Sequence, residues 1–408
     1  HRLIRRQRQM CIRDSYYVDQ NHPNASDSNP GTEELPWETI QKAAQTLQAG
    51  DIVFVKNGTY YVTRTDINRF LPALNPVNSG SVGSPIIFAT YPGHSVTITY
   101  APGTVGKGPI IGSAGRDYII WRGFKIVEVA SNHQPDTGPV VLYNSEGCII
   151  ENCEIQGTSI PGNVDNHNGI RVEDSKNFII RNNIIHGFKD VAAEGGYKDY
   201  WTENGIIEHN EIYDCHHGIN VKDEASNIII RYNLIHNCNV GVTTAGNAKM
   251  KTDILVYQNI IYNVQNAFII GAGITNPIKI YNNIVYMHEG LVIGCLTGGS
   301  HLEFFNNIVY SAPDSPVCGE WYDPYYVDYM NYNCYYGGPN NTDTLDFFWH
   351  NYDNVEEWCS ATGRDCNSIA QNPLFVNPEA HDFHLRPNSP CLAKEGEDCG
   401  GIDKQDYD

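Results

Sequence analysis

Seven segments of this 408-residue chain align without gaps: IIENCEI (149–155), IIRNNII (179–185), IIEHNEI (206–212), IIRYNLI (229–235), LVYQNII (255–261), KIYNNIV (279–285) and EFFNNIV (303–309). The aligned residues are Cys153, Asn183, Asn210, Asn233, Asn259, Asn283 and Asn307, spaced by 30, 27, 23, 26, 24 and 24, with a further copy expected around Asn333. Apolar residues alternate around each Asn, with Ile180, Ile207 and Ile230 three before and Ile185, Ile212 and Ile235 two after. Period two with β-branched residues predicts strands. A short repeat holding three such strands predicts one coil of a parallel β-helix, an all-β fold of about 24 residues per coil in which stacking buries what one repeat cannot. The Asn column then forms a buried ladder at a turn. Leucine-rich repeats are excluded, because the LxxLxL pattern is absent.

Charge narrows the function. Acidic residues outnumber basic ones by 47 to 27, which argues against nucleic acid and against anionic membranes. No run of 18 apolar residues occurs, so no membrane span is predicted. Residues 1–15 carry five Arg against one Asp, leaving −24 on 16–408. This leader has no apolar stretch of signal-peptide length; it resembles translated sequencing-adaptor read-through, and the expectation is that it is non-native. Six cysteines fall in the last quarter, and the close pairs Cys359/Cys366 and Cys391/Cys399 predict loop staples in an oxidising compartment.

The opening segment YYVDQNHPNASDSNPGTEELPWETIQKAAQTLQAGDIVFVKNGTYY (16–61), the stretch SGSVGSPIIFATYPGHSVTIT (79–99) and the ending NPLFVNPEAHDFHLRPNSPCL (372–392) resemble the right-handed parallel β-helix proteins of the polysaccharide-lyase, pectate-lyase-like superfamily. The resemblance covers nearly all of 16–408. It implies right-handed coils, secretion to an extracellular or periplasmic space, a monomer, and an acidic polysaccharide as partner. Within it, PWETIQKAAQTLQAG reads as a short amphipathic helix stopped by Gly50, with Ile40, Ala43, Ala44 and Leu47 covering the first coil. The expected layout is an opening strand and capping helix over 16–78, coils over 79–338, and a loop-rich cap over 339–408.

Columns can be read across coils. The strand before each repeat segment reads GPVVLYN (138–144), GIRVED (169–174), DVAAEGG (190–196), GINVKDE (218–224) and GVTTAGN (241–247). Alternation gives an outward column of Tyr143, Glu173, Glu194, Lys222 and Ala245, a second of Val141, Arg171, Ala192, Asn220 and Thr243, and Asp174 and Asp223 at strand ends. Glu173, Glu194, Asp174 and Asp223 are the predicted metal ligands, since converging carboxylates suit Ca²⁺. Bound Ca²⁺ neutralises a uronate carboxylate and acidifies the adjacent proton. The resembling lyases use Ca²⁺ on acidic residues and a Lys or Arg base, so Lys222 is the expected base, with Arg171 or Lys249 as the second cation. The aspartate-rich motif of the family-nine pectate lyases is absent.

The two longest coils bracket this face, and their loops 156–168 and 195–203 bring Asp165, His167, Lys198 and Asp199 together with the aromatic residues Tyr197, Tyr200 and Trp201. With Tyr143, His217 and Asn220, those three aromatics are the expected substrate-binding residues. The alternative is a solvated ion ladder, such as the one expected at Arg181, Glu208 and Arg231. A column of His186, Tyr213, His236, Tyr262, Tyr286 and Tyr310 reads as a packed surface stack with sugar binding as the second option. Three function classes stay open: a Ca²⁺-dependent lyase, a glycoside hydrolase using Glu173 and Glu194 as its carboxylate pair, and a non-catalytic glycan-binding protein.

Overall fold

The computed structural model describes residues 15–129, 137–158, 168–188, 191–195, 202–222, 224–244, 253–271, 277–296, 301–311, 327–337 and 354–392; at 191–195, 295 and 296 it describes backbone alone. Strands stack as a parallel β-helix. The strands preceding the ladder Asn, from Ser15–Val18 through Ile149–Glu151, Ile179–Arg181 and Ile206–Glu208 to Val327–Asn331, form a 12-stranded sheet. The strands after the Asn, and those that carry the candidate site, form an 18-stranded sheet. Two 11-residue strands, Leu234–Thr244 and Ile260–Ile270, run through both of its halves.

The repeat register holds. Ile150 pairs with Ile180, Ile180 with Ile207, and Ile207 with Ile230. All four are 0% exposed, and each such side chain contributes roughly 1.5–3 kcal/mol of burial. The residue before each ladder position adopts the left-handed conformation, including Asn182 (φ 55), His209 (φ 54), Tyr232 (φ 56) and Gln258 (φ 54). That conformation is disfavoured for residues with a Cβ, and the ladder holds it in place. Asn183 Nδ2 donates to Asn210 Oδ1, Asn210 to Asn233 and Asn233 to Asn259, each at 3.0 Å. Each Oδ1 also accepts a backbone N–H from the preceding coil, as Asn210 Oδ1 does from Asn183. Each Nδ2 also reaches a main-chain carbonyl, as Asn210 Nδ2 does that of Ile180 at 2.9 Å. These amides therefore satisfy the polar groups that the turn would otherwise bury without partners.

The capping helix spans Ile40–Thr46, with Ile40, Ala43 and Ala44 buried and the Thr39 hydroxyl accepting from Lys42 N at 3.2 Å. It ends at Leu47, whose N–H bonds to Ala43 O, three residues short of the expected stop at Gly50. Coil strands begin within 16–78, at Ile52–Val55 and Gly58–Val62, ahead of residue 79. At the other end, the helix Val355–Thr362 carries the Cys359–Cys366 disulfide. Cys391 is a free, buried thiol, so the second expected staple is not formed; Cys399 lies outside the described residues.

Candidate active site

The site strands pair in parallel, with side chains alternating between core and outside. Ile170, Val172, Ile219 and Val221 point inward and are 0% exposed. In the outward column Gly112 pairs with Val141, Val141 with Arg171, Arg171 with Glu194, Glu194 with Asn220, and Asn220 with Thr243. The neighbouring column holds Ala114, Tyr143 and Glu173.

This corrects the expected columns. Glu194 is level with Arg171 and Asn220, one column away from Glu173 and Lys222. The strand Val191–Gly195 is slipped by two residues, so that Val191 pairs with Asn168 and Ala193 with Ile170. A two-residue slip leaves every side chain on its own face, so alternation cannot register it. Glu173 and Lys222 directly follow Val172 and Val221, which lie two strand spacings apart, about 10 Å.

Of the predicted Ca²⁺ ligands, Glu173 and Asp174 are described in full, Glu194 in backbone alone, and Asp223 lies outside the described residues. Glu173 is 0% exposed and accepts from Arg171 Nε at 2.8 Å, with Arg171 equally buried. Asp174 sits in a left-handed turn (φ 49), the conformation of Asn144 one coil earlier (φ 46), where short polar side chains are favoured. Among the described residues, no three His, Cys, Asp or Glu side chains come together as a metal group. Asp223, Lys249, Tyr197, Tyr200 and Trp201, with Asp165, His167, Lys198 and Asp199, lie outside the described residues.

The described residues do gather a polar cluster beyond Tyr143. Asn220 is 1% exposed and Thr243 2%. Thr243 Oγ1 lies 2.7 Å from His217 Nδ1, and the His216 ring stacks on His217 at 4.7 Å. Burial pushes the His217 imidazole down to about 4, and the neighbouring His216 and the Lys222 ammonium push in the same direction. His217 is therefore neutral at pH 7. The Thr243–His217 contact was not foreseen. Its signal lay in the second outward column, which contains Thr243.

The other columns are structural. Glu151 accepts from Arg122 and Arg181, and Glu208 from Arg231 at 2.7 Å, so the ion ladder is real and longer than expected. His186 stacks on Tyr213 at 4.8 Å, Tyr213 on His236 at 5.1 Å and His236 on Tyr262 at 4.8 Å, all within 7° of parallel. These ring faces are occupied by one another. Farther along, His381 and Phe383 of the C-terminal hairpin pack on Tyr262. Sugar stacking needs an open face, so this column is a packed one.

Residues 124–285 match the family model described as right handed beta helix region. An uncharacterized protein of Bacillus subtilis, YwoF, is 28% identical over 174 residues, which is 42% of this chain and 29% of that protein's length. The chain thus matches less than a third of that relative. Among solved structures, XylC in complex with xylose superposes with a TM-score of 0.58 at 15% identity, covering 89% of this chain and 87% of that one. Pectate lyase Pel9A gives 0.54 at 13% identity, covering 93% and 90%. An alginate lyase from Paenibacillus sp. gives 0.50 at 15% identity, covering 71% and 95%. The fold is a right-handed parallel β-helix.

Proposed function

We propose that this chain is a secreted, carbohydrate-active β-helix enzyme that cleaves a uronate-containing polysaccharide by β-elimination on the face carrying Arg171, Glu194, Asn220 and Thr243. The observation that carries the reading is the polar cluster itself. Side chains of a solvated surface would be exposed, whereas Asn220 and Thr243 are almost fully buried on an outward face. Among the described residues Asn220 Oδ1 has no hydrogen-bond partner, and a buried polar atom of that kind suits a ligand hydroxyl or amide. The solved structures of similar fold include a pectate lyase, an alginate lyase and a xylose complex, and that likeness of fold is supporting analogy.

In this reading Lys222 is the group that takes the C5 proton of the uronate. The C5–H electron pair becomes the C4=C5 double bond, the C4–O4 bond breaks, and the departing oxygen takes a proton from solvent water. Neutral His217, held by Thr243, places no competing cation beside Lys222. Arg171 is already balanced by Glu173 and orients the floor. The Cys359–Cys366 disulfide supports an oxidising compartment.

Incubation with pectate, alginate and glycosaminoglycans, followed by ultraviolet absorbance of the unsaturated product, tests the reading. Absorbance that rises with one substrate and is lost in Lys222→Ala supports it, and a chelator arm reports any cation requirement. Saturated reducing ends would replace elimination with hydrolysis. Glycan binding without turnover would leave a binding protein.

A further inference from the structure

The polar run of the candidate site has an end. Successive outward positions of the site ladder change character at one rung: Gly112 and Ala114, then Val141 and Tyr143, then Arg171 and Glu173, with Glu194, Asn220 and Thr243 beyond. Small or apolar residues occupy the first two rungs and polar ones the rest. Over the first two rungs lies the segment 63–73. It enters the stack at Leu74, which bridges to Ile111, with Ala73 N bonding to Pro109 O and Leu74 N to Ile110 O, both at 2.9 Å. From there it reaches forward two rungs. The Phe70 ring stacks on Tyr143 at 4.4 Å and 21°, and Arg69 O accepts from Thr137 Oγ1 at 2.7 Å.

The loop is braced. Asn68 Oδ1 accepts from Phe70 N at 2.9 Å and Leu71 N at 3.1 Å, and Arg64 donates to Leu71 O at 2.9 Å. The Arg69 guanidinium sits 4.5 Å from the Phe70 ring centroid. An aromatic pair held by three independent anchors is a fixed wall, and it stands one rung before the first polar residue.

We propose that the Phe70–Tyr143 pair closes one end of the candidate site, so that the protein engages a uronate glycan by a chain end and not at an internal position. This rests on the reading above. Both rings are partly exposed, but each covers the other's facing ring face, so the pair acts as a barrier: a chain end can abut its exposed edges, whereas a passing chain would have to cross it.

The test is competition binding of size-defined alginate and pectate oligosaccharides that are uncapped, capped with a bulky fluorophore at the reducing end, or capped at the non-reducing end. One of the two caps should weaken binding by about tenfold. Phe70→Ala and, independently, Tyr143→Ala should erase that difference while keeping the melting temperature close to wild type; two variants guard against one that fails to fold. Where turnover occurs, one short product should dominate from the earliest time points. Equal binding of all three forms, or first products spread over many lengths, would overturn the wall. Absence of binding by every form would instead sink the functional reading, an outcome distinct from equal binding.

Discussion

Arg171 donates from Nε to Oε2 of Glu173 at 2.8 Å, and both side chains are fully buried although they occupy outward positions of the strand. A guanidinium and a carboxylate out of water compensate each other. Either one left alone is far costlier than the pair is beneficial.

Glu173→Gln should therefore destabilise the fold by about 3–5 kcal/mol, because it removes a buried carboxylate that compensates the Arg171 charge. Replacing both residues, as in Arg171→Met with Glu173→Leu, should recover most of that loss. Urea denaturation of the two variants against wild type measures both. A cost below 1 kcal/mol for Glu173→Gln would mean that the pair is well solvated, contrary to its burial.

The same pair shows what the sequence could and could not convey. Alternation placed Arg171 and Glu173 on the outward face, and the Asn repeat located every coil from 149 to 309, because both patterns are enforced by burial at each rung. The register of Glu194 was not legible, since a two-residue slip of its strand keeps the alternation between faces unchanged. Nor was the wall, since Phe70 lies in an insertion, 63–73, that obeys no repeat. The burial of Asn220 and Thr243 likewise depends on what covers the strand, which periodicity within the strand does not encode.

Asn233 sits at the centre of the ladder. Its Oδ1 accepts from the backbone N and the Nδ2 of Asn210, and its Nδ2 donates to Ile207 O and Asn259 Oδ1. Asn233→Ala should leave several of these groups buried and unsatisfied, at about 1–3 kcal/mol for each group not rescued by water. Thermal denaturation is expected to show a loss of at least about 3 kcal/mol. Asn233→Asp should fall between the two, since it keeps the acceptor and loses the donor.

His217 supplies a pH signature. In the unfolded chain it takes a proton near its ordinary 6.5, and in the fold only near about 4. Between those values the unfolded state binds more protons, so this group's contribution is fully favourable above pH 6.5 and declines as the pH falls to about 4. Subtracting the stability–pH profile of His217→Gln from that of wild type should isolate a slope confined to this window. An NMR titration placing the His217 midpoint near 6.5 would contradict the burial argument.

Asp365 ends the ladder. It is 0% exposed and accepts from Asn333 Nδ2 at 2.9 Å and from Tyr335 Oη at 3.2 Å, with the Ser368 hydroxyl also donating to it. Burial raises its pKa above the ordinary 3.8, although the hydrogen bonds from Ser368, Asn333 and Tyr335 oppose that rise. The unfolded carboxyl thus ionises before the folded one. Its contribution to stability is greatest below pH 3.8 and declines as the pH rises through the folded value. Asp365→Asn should remove that decline. Asp365→Ala should cost about 1–3 kcal/mol for each donor left without an acceptor. The Cys359–Cys366 disulfide closes around this residue with a sequence separation of 7, so reduction should loosen the same unit by about 2.5 kcal/mol in the chain-entropy account. If the two effects act on one cooperative end of the coil stack, reduction and Asp365→Ala will be less than additive. Full additivity would show that the ladder's end and the stapled helix open independently.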